Sequence, residues 1–88
     1  MSGRLICASS QDVETVYIHL PEHIRRTREE PGCITFDVVP TDDPMIWRVA
    51  ECFRDADAFK FHQHRTRGST WWSATANIQR DFKVTGLE

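Results

Sequence analysis

The chain has 88 residues and a net charge of −2, so a single domain spanning residues 1–88 is expected. A chain this short buries only about 60–65% of its unfolded surface, and small chains without staples gain stability by oligomerising. Charges of both signs are mixed and no Lys/Arg stripe stands out, which excludes a nucleic-acid footprint; no apolar run approaches the roughly 18 residues of a membrane span.

Arg4 to Ala8 is a short strand candidate. Ser9, Ser10 and Asp12 then offer side-chain oxygens to cap a helix N-terminus. Val13, Val16, Tyr17, Leu20 and Ile24 follow at helical spacing and form one apolar stripe. Pro21 removes a backbone donor inside this helix and is expected to kink it. Arg25, Arg26 and Arg28, flanked by Glu22, Glu29 and Glu30, read as a solvated helix end. Pro31-Gly32 stops the segment.

Ile34 to Val39 reads as a strand, residues 40–44 as a turn, and Ile46 to Phe53 as the partner strand of a hairpin. Asp55 is the expected N-cap of a second helix through Ala58, Phe59 and His62. Arg65 to Ser69 is a polar connection. Trp71, Ala74, Thr75 and Ile78 suggest a further helix, and Arg80 to Thr85 alternates as a last strand. The order is β-α-β-β-α-β with the second helical region split, the ferredoxin-like α+β pattern with an antiparallel sheet.

Strand parity carries a further expectation. Ile34, Phe36 and Val38 share one side of the hairpin, as do Trp47, Val49, Glu51 and Phe53. The alternate positions include Val39, Ile46, Ala50 and Cys52, so neither face is cleanly polar, although a half-exposed antiparallel sheet should alternate. Helices can cover only one face. A homodimer packing sheet against sheet is the simplest cover for the other.

Cysteines stand at 7, 33 and 52. An odd number without CxxC spacing argues against a disulfide framework and against a zinc knuckle. The N-terminus lacks the apolar core of a signal peptide, which makes a cytoplasmic protein the expectation.

The stretches Glu30-Pro31-Gly32-Cys33-Ile34-Thr35-Phe36-Asp37-Val38, Val49-Ala50-Glu51-Cys52-Phe53 and Asp55-Ala56-Asp57-Ala58-Phe59-Lys60-Phe61-His62-Gln63 occur in an order that resembles the antibiotic-biosynthesis-monooxygenase family. Arg65-Thr66-Arg67, Trp72, Ile78 and Arg80-Asp81-Phe82 extend the likeness over nearly the whole chain. The resemblance implies a dimeric α+β barrel protein. It also implies oxidation of a quinol or phenol by O₂ with no metal or flavin cofactor. A related group degrades haem through an Asn in the first strand, a Trp in the second helix and a ligand His in the next. Here Cys7, Ala8 and Ser9 stand in the strand, His62 stands where the Trp is expected and Trp72 where the His is expected. Haem degradation is therefore disfavoured.

His19-Leu20-Pro21-Glu22-His23 spells H-x-x-E-H, a zinc-peptidase arrangement. Pro21 lies between the histidines and the chain is too small for a peptidase cleft. A chance match is the better reading, with both histidines near the rim of the first helix. His62 is either a packed helix-end histidine or a pocket group that hydrogen-bonds a phenolic hydroxyl or takes its proton, work suited to a pKa near ~6.5. Glu51, mid-strand among apolar residues, needs a partner or a raised pKa. That partner is an Arg from a helix or second subunit, or else Glu51 is a pocket carboxylate. Trp71 and Trp72 are 100° apart on a helix, so one can face the core and the other a pocket mouth.

The expectation is thus a cofactor-independent monooxygenase with His62 and Glu51 as catalytic residues and Trp72, His64, Asn77 and Phe36 as substrate-binding ones. Asn77 serves equally well as a helix C-cap. A non-catalytic dimeric domain that binds a small aromatic ligand is the alternative.

Overall fold

The computed structural model describes residues 1–83. The elements are β1 (Ser2–Ile6), α1 (Ser10–Arg28), β2 (Cys33–Pro40), β3 (Ile46–Phe53), α2 (Ala56–Arg67), α3 (Thr70–Ala74) and β4 (Gln79–Lys83). The strands form one sheet in the order β2-β3-β1-β4, with each neighbouring pair antiparallel. This is the expected ferredoxin-like arrangement with a split second helical region. Val84 and Thr85, the end of the expected last strand, lie outside the described residues.

Cap chemistry sets the helix starts. Ser9 Oγ accepts from the Asp12 amide at 3.2 Å, and Asp55 Oδ1 from the Ala58 amide at 2.8 Å, each satisfying an orphan donor of a first turn. Helix α1 runs unbroken past Pro21 and ends at Arg28, before Pro31-Gly32. Its buried positions are Asp12, Val16, Leu20, His23 and Thr27, a single helical stripe whose last two members are polar. Tyr17, expected in the apolar stripe, is exposed, although its ring meets Trp47 edge-on at 5.1 Å. Helix α2 extends through Arg67, so Arg65 and Thr66, expected in a connection, are helical.

The core lies between one sheet face and the helices, with Leu5, Phe36, Val38, Trp47 and Val49 packed against Val16 and Leu20. The expected grouping of Ile34 with Phe36 fails because the β2–β3 register shifts between Cys33 and Thr35. The extra residue of this bulge reverses parity. Cys33 pairs with Phe53 on the helix side, while Ile34 points outward, 62% exposed.

Helix α2 buries only His62 and Thr66, an unusually polar contact for a helix on a sheet. Two close packings help to seat it. Phe59 lies against Phe53 with ring centroids 5.7 Å apart, and Ala58 stands over Gly32 so closely that a Cβ on residue 32 would collide with it. His62 and Arg65 add ion-pair contacts to Glu30 and Glu51.

Candidate active site

His62 of α2, Glu51 of β3 and Glu30 of the α1–β2 connection converge where α2 meets the sheet. His62 Nδ1 donates to Glu30 Oε2 at 3.1 Å. Its Nε2 lies 3.3 Å from Glu51 Oε1, an ion-pair contact without hydrogen-bond geometry, and 3.4 Å from Thr66 Oγ1. Arg65 closes the group from the side: Nε donates to Glu30 Oε2 at 2.6 Å and Nη2 to Thr27 Oγ1 at 2.9 Å. The side chains of His62, Glu30 and Glu51 are 6%, 4% and 3% exposed, so water screens these charges little.

Burial alone would discharge the His62 ring. The attraction of Glu51 and Glu30, with the hydrogen bond to Glu30, outweighs it and holds the His62 pKa above its ordinary value. His62 thus favours its charged form and faces a carboxylate oxygen at each nitrogen. The partner of Glu51 is this histidine, not the expected arginine.

An apolar cavity of ≈ 150 Å³ lies beside the network. Its sheet wall is Leu5, Phe36, Val38, Val49 and Phe82; its helix wall is His23, His62, Gln63, Thr66, Trp71 and Trp72. Arg80 of β4 and Met1 complete it. Trp71 is buried and Trp72 half-buried, so the adjacent tryptophans divide between core and cavity margin as expected. Arg80 lies over the Trp72 ring, 5.1 Å from its centroid, a cation–π distance.

His23 is the residue that the sequence misplaced. It is not at a rim but 5% exposed, stacked on Trp71 with centroids 5.0 Å apart and planes 6° from parallel. Its Nδ1 is buried without a hydrogen-bond partner. Burial, followed by the nearby charges of His62, Arg65, Arg80 and Arg26, lowers its pKa to about 3. The environments of the two cavity histidines thus shift them in opposite directions.

Of the six expected site residues, the structure brings His62, Phe36 and Trp72 to the cavity, with Glu51 behind His62. His64 and Asn77 are not brought there. His64 is exposed on the outer side of α2, two residues from His62 and hence on another helix face. Asn77 is also exposed, and its Nδ2 donates to Asp12 Oδ1 at 3.0 Å, a contact that ties the α3–β4 connection to α1. Within H-x-x-E-H, Glu22 pairs with Arg25 in solvent. Among the described residues, no three His, Cys, Asp or Glu side chains converge to hold a metal ion, and no helix is long and apolar enough to cross a membrane.

Solved structures share this architecture. A Nitrosomonas europaea protein assigned to the antibiotic biosynthesis monooxygenases superimposes with a TM-score of 0.76 at 15% identity, covering 96% of each chain. Rv0793 from Mycobacterium tuberculosis matches with a TM-score of 0.66 at 18% identity, over 99% of this chain and 95% of that one. PA3566 from Pseudomonas aeruginosa matches with a TM-score of 0.64 at 17% identity, over 96% and 92%. At such identities the likeness speaks for the fold alone. No curated protein matches the chain. Residues 10–71 match the family described as Antibiotic biosynthesis monooxygenase, and the chain belongs to that family.

Proposed function

We propose that the protein is a cofactor-independent monooxygenase that oxidises a quinol or similar phenolic compound with O₂. The observation that carries this reading is an aromatic-lined cavity bearing one buried histidine set between two carboxylates. An apolar space of ≈ 150 Å³ suits a single aromatic ring. Its walls keep water from a reactive oxyanion.

The chemistry balances without an external reductant. An ionised quinol passes an electron to O₂, the resulting radicals combine at a ring carbon, and the O–O bond then breaks. One oxygen atom stays on the ring as a hydroxyquinone and the other leaves as water, with the ring supplying all the electrons. The protein must favour the ring anion and the reduced oxygen, which a fixed positive charge does without reorganising. His62 supplies that charge at the cavity wall. Glu51 and Glu30 position it, and Phe36 and Trp72 flank the ring.

This reading includes a cytoplasmic homodimer whose uncovered sheet faces meet. Ala50, Cys52 and Val39 are exposed on that face, and the cysteines are free, a state that a reducing compartment preserves.

The test is O₂ uptake by metal-free protein across a panel of quinols and phenols. Uptake with a hydroxylated product supports the reading, together with its loss in His62→Ala. Ligand-dependent thermal stabilisation without O₂ uptake would instead indicate a binding domain.

A further inference from the structure

Three side chains on the cavity wall bear ionisable groups from separate elements of the fold: His23 on α1, His62 on α2 and Arg80 on β4. Among the described residues, no Asp or Glu lines the cavity. The nearest carboxylates, Glu30 and Glu51, are turned to His62, and Arg65 is turned to Glu30. Arg80 makes no ion pair among the described residues. It gives two N–H groups to the carbonyls of Thr75 and Ile78 and one to Thr75 Oγ1, which leaves two of a guanidinium's five donors without a partner among the described residues.

None of these groups can take a proton from an ordinary phenol. A general base needs a lone pair within reach of the proton. Both nitrogens of His62 already face oxygens, and its carboxylates favour its charged form. His23 is neutral, but burial and the cations around it hold its pKa to about 3. A phenol of ordinary acidity, near ~10, is mismatched with it by roughly seven units. The wall is built to receive an anion, not to make one from a weak acid.

We propose that the cavity selects an acidic aromatic hydroxyl compound, a phenol or quinol whose ring bears a conjugated carbonyl or comparable electron-withdrawing group, and binds it as its oxyanion between His62 and Arg80. This rests on the reading of the cavity as the substrate site. It narrows that reading from phenols in general to those that ionise readily, and it assigns Arg80 to substrate binding. An anion held there is also the form that reduces O₂.

para-Nitrophenol tests this, because its phenol and phenolate absorb at different wavelengths. Titrated with protein across pH, it should bind with about tenfold preference for the phenolate, which lowers its apparent midpoint by about one pH unit. Arg80→Gln should abolish that preference, while Arg80→Lys, which keeps the charge, should retain most of it. His62→Gln gives a second readout should loss of the Thr75 contacts unfold Arg80→Gln. Binding of the neutral phenol, equal binding of both forms, or binding of neither would overturn the proposal. O₂ uptake on the quinol panel is scored separately. Phenolate preference without turnover would defeat the monooxygenase reading alone, and turnover without phenolate preference would defeat this inference alone.

Discussion

His23 of α1 and Trp71 of α3 lie face to face, ring centroids 5.0 Å apart and planes 6° from parallel. The stack joins two helices and forms part of the cavity wall. It also leaves an imidazole where a positive charge is unwelcome. Because burial and neighbouring cations depress the His23 pKa to about 3, the unfolded chain takes up this proton before the folded one does. The stability contributed by the neutral ring is fully present above its ordinary value of ~6.5 and is lost as pH falls toward about 3. His23→Phe preserves the stack, removes the orphan Nδ1 and cannot titrate. Chemical denaturation should find the variant more stable than the parent by about 3 kcal/mol near pH ~4 and much closer to it near pH ~7. Parallel pH profiles for the two proteins would contradict this.

His62 predicts the opposite limb. Its pKa is raised in the fold, since the pull of Glu51 and Glu30 exceeds the cost of burial. Its contribution is present below ~6.5 and is lost as pH rises through the folded value. Glu30→Gln leaves Glu51 as the only carboxylate and strips Arg65 of its ion-pair partner. The variant should lose on the order of 3 kcal/mol, as broken buried pairs do. The His62 ring resonance, followed by NMR against pH, should titrate lower than in the parent. A midpoint that does not move would mean that Glu51 alone holds the charge.

Much of the fold was legible in the sequence because helix caps, the hairpin turn and alternating strands are local signals. The two caps at Ser9 and Asp55 and the strand order of the hairpin follow from residues within a few positions of one another. The site was only half legible. His62 and Glu51 stood out as polar residues in apolar surroundings. His23, Thr27 and Thr66 sit on buried helix faces where an apolar count sees only gaps. Glu30 looked like one of a run of surface charges, yet it is 32 residues from the histidine it grips. Nothing local distinguishes it from Glu29, which stays in solvent and pairs with Arg25. The spacing H-x-x-E-H suggested a motif but hid the buried histidine within it.

Pro31-Gly32 is the expected helix stop, yet α1 ends at Arg28 and Gly32 does something else. It lets the start of β2 approach Ala58 of α2 more closely than any side chain would permit. Since α2 carries His62 and buries little apolar surface, a small displacement there should loosen the charge network. Gly32→Ala is expected to cost about 1–3 kcal/mol, the range of an overpacked contact. It should also move the His62 titration toward its ordinary value. Ala58→Gly in the same chain removes the opposing methyl and should restore the His62 midpoint, even though glycine inside a helix costs about 1 kcal/mol. If the double variant titrates like Gly32→Ala alone, the contact does not govern the placement of His62.

The proposed homodimer turns on the outer sheet face. Ala50 lies on it, opposite Asp37 in the β2–β3 register, and both are exposed. A dimer that packs these faces together should show about twice the 10.2 kDa chain mass by light scattering at micromolar concentration. Ala50→Lys places a long cation at the centre of that face, while the cross-strand Asp37 supports it within the chain. The variant should therefore stay folded and run as a monomer, with its far-UV spectrum unchanged. If the parent protein is itself monomeric, the sheet face is solvated and the homodimer reading falls. If the parent is dimeric and Ala50→Lys leaves it so, the two copies meet through a different surface.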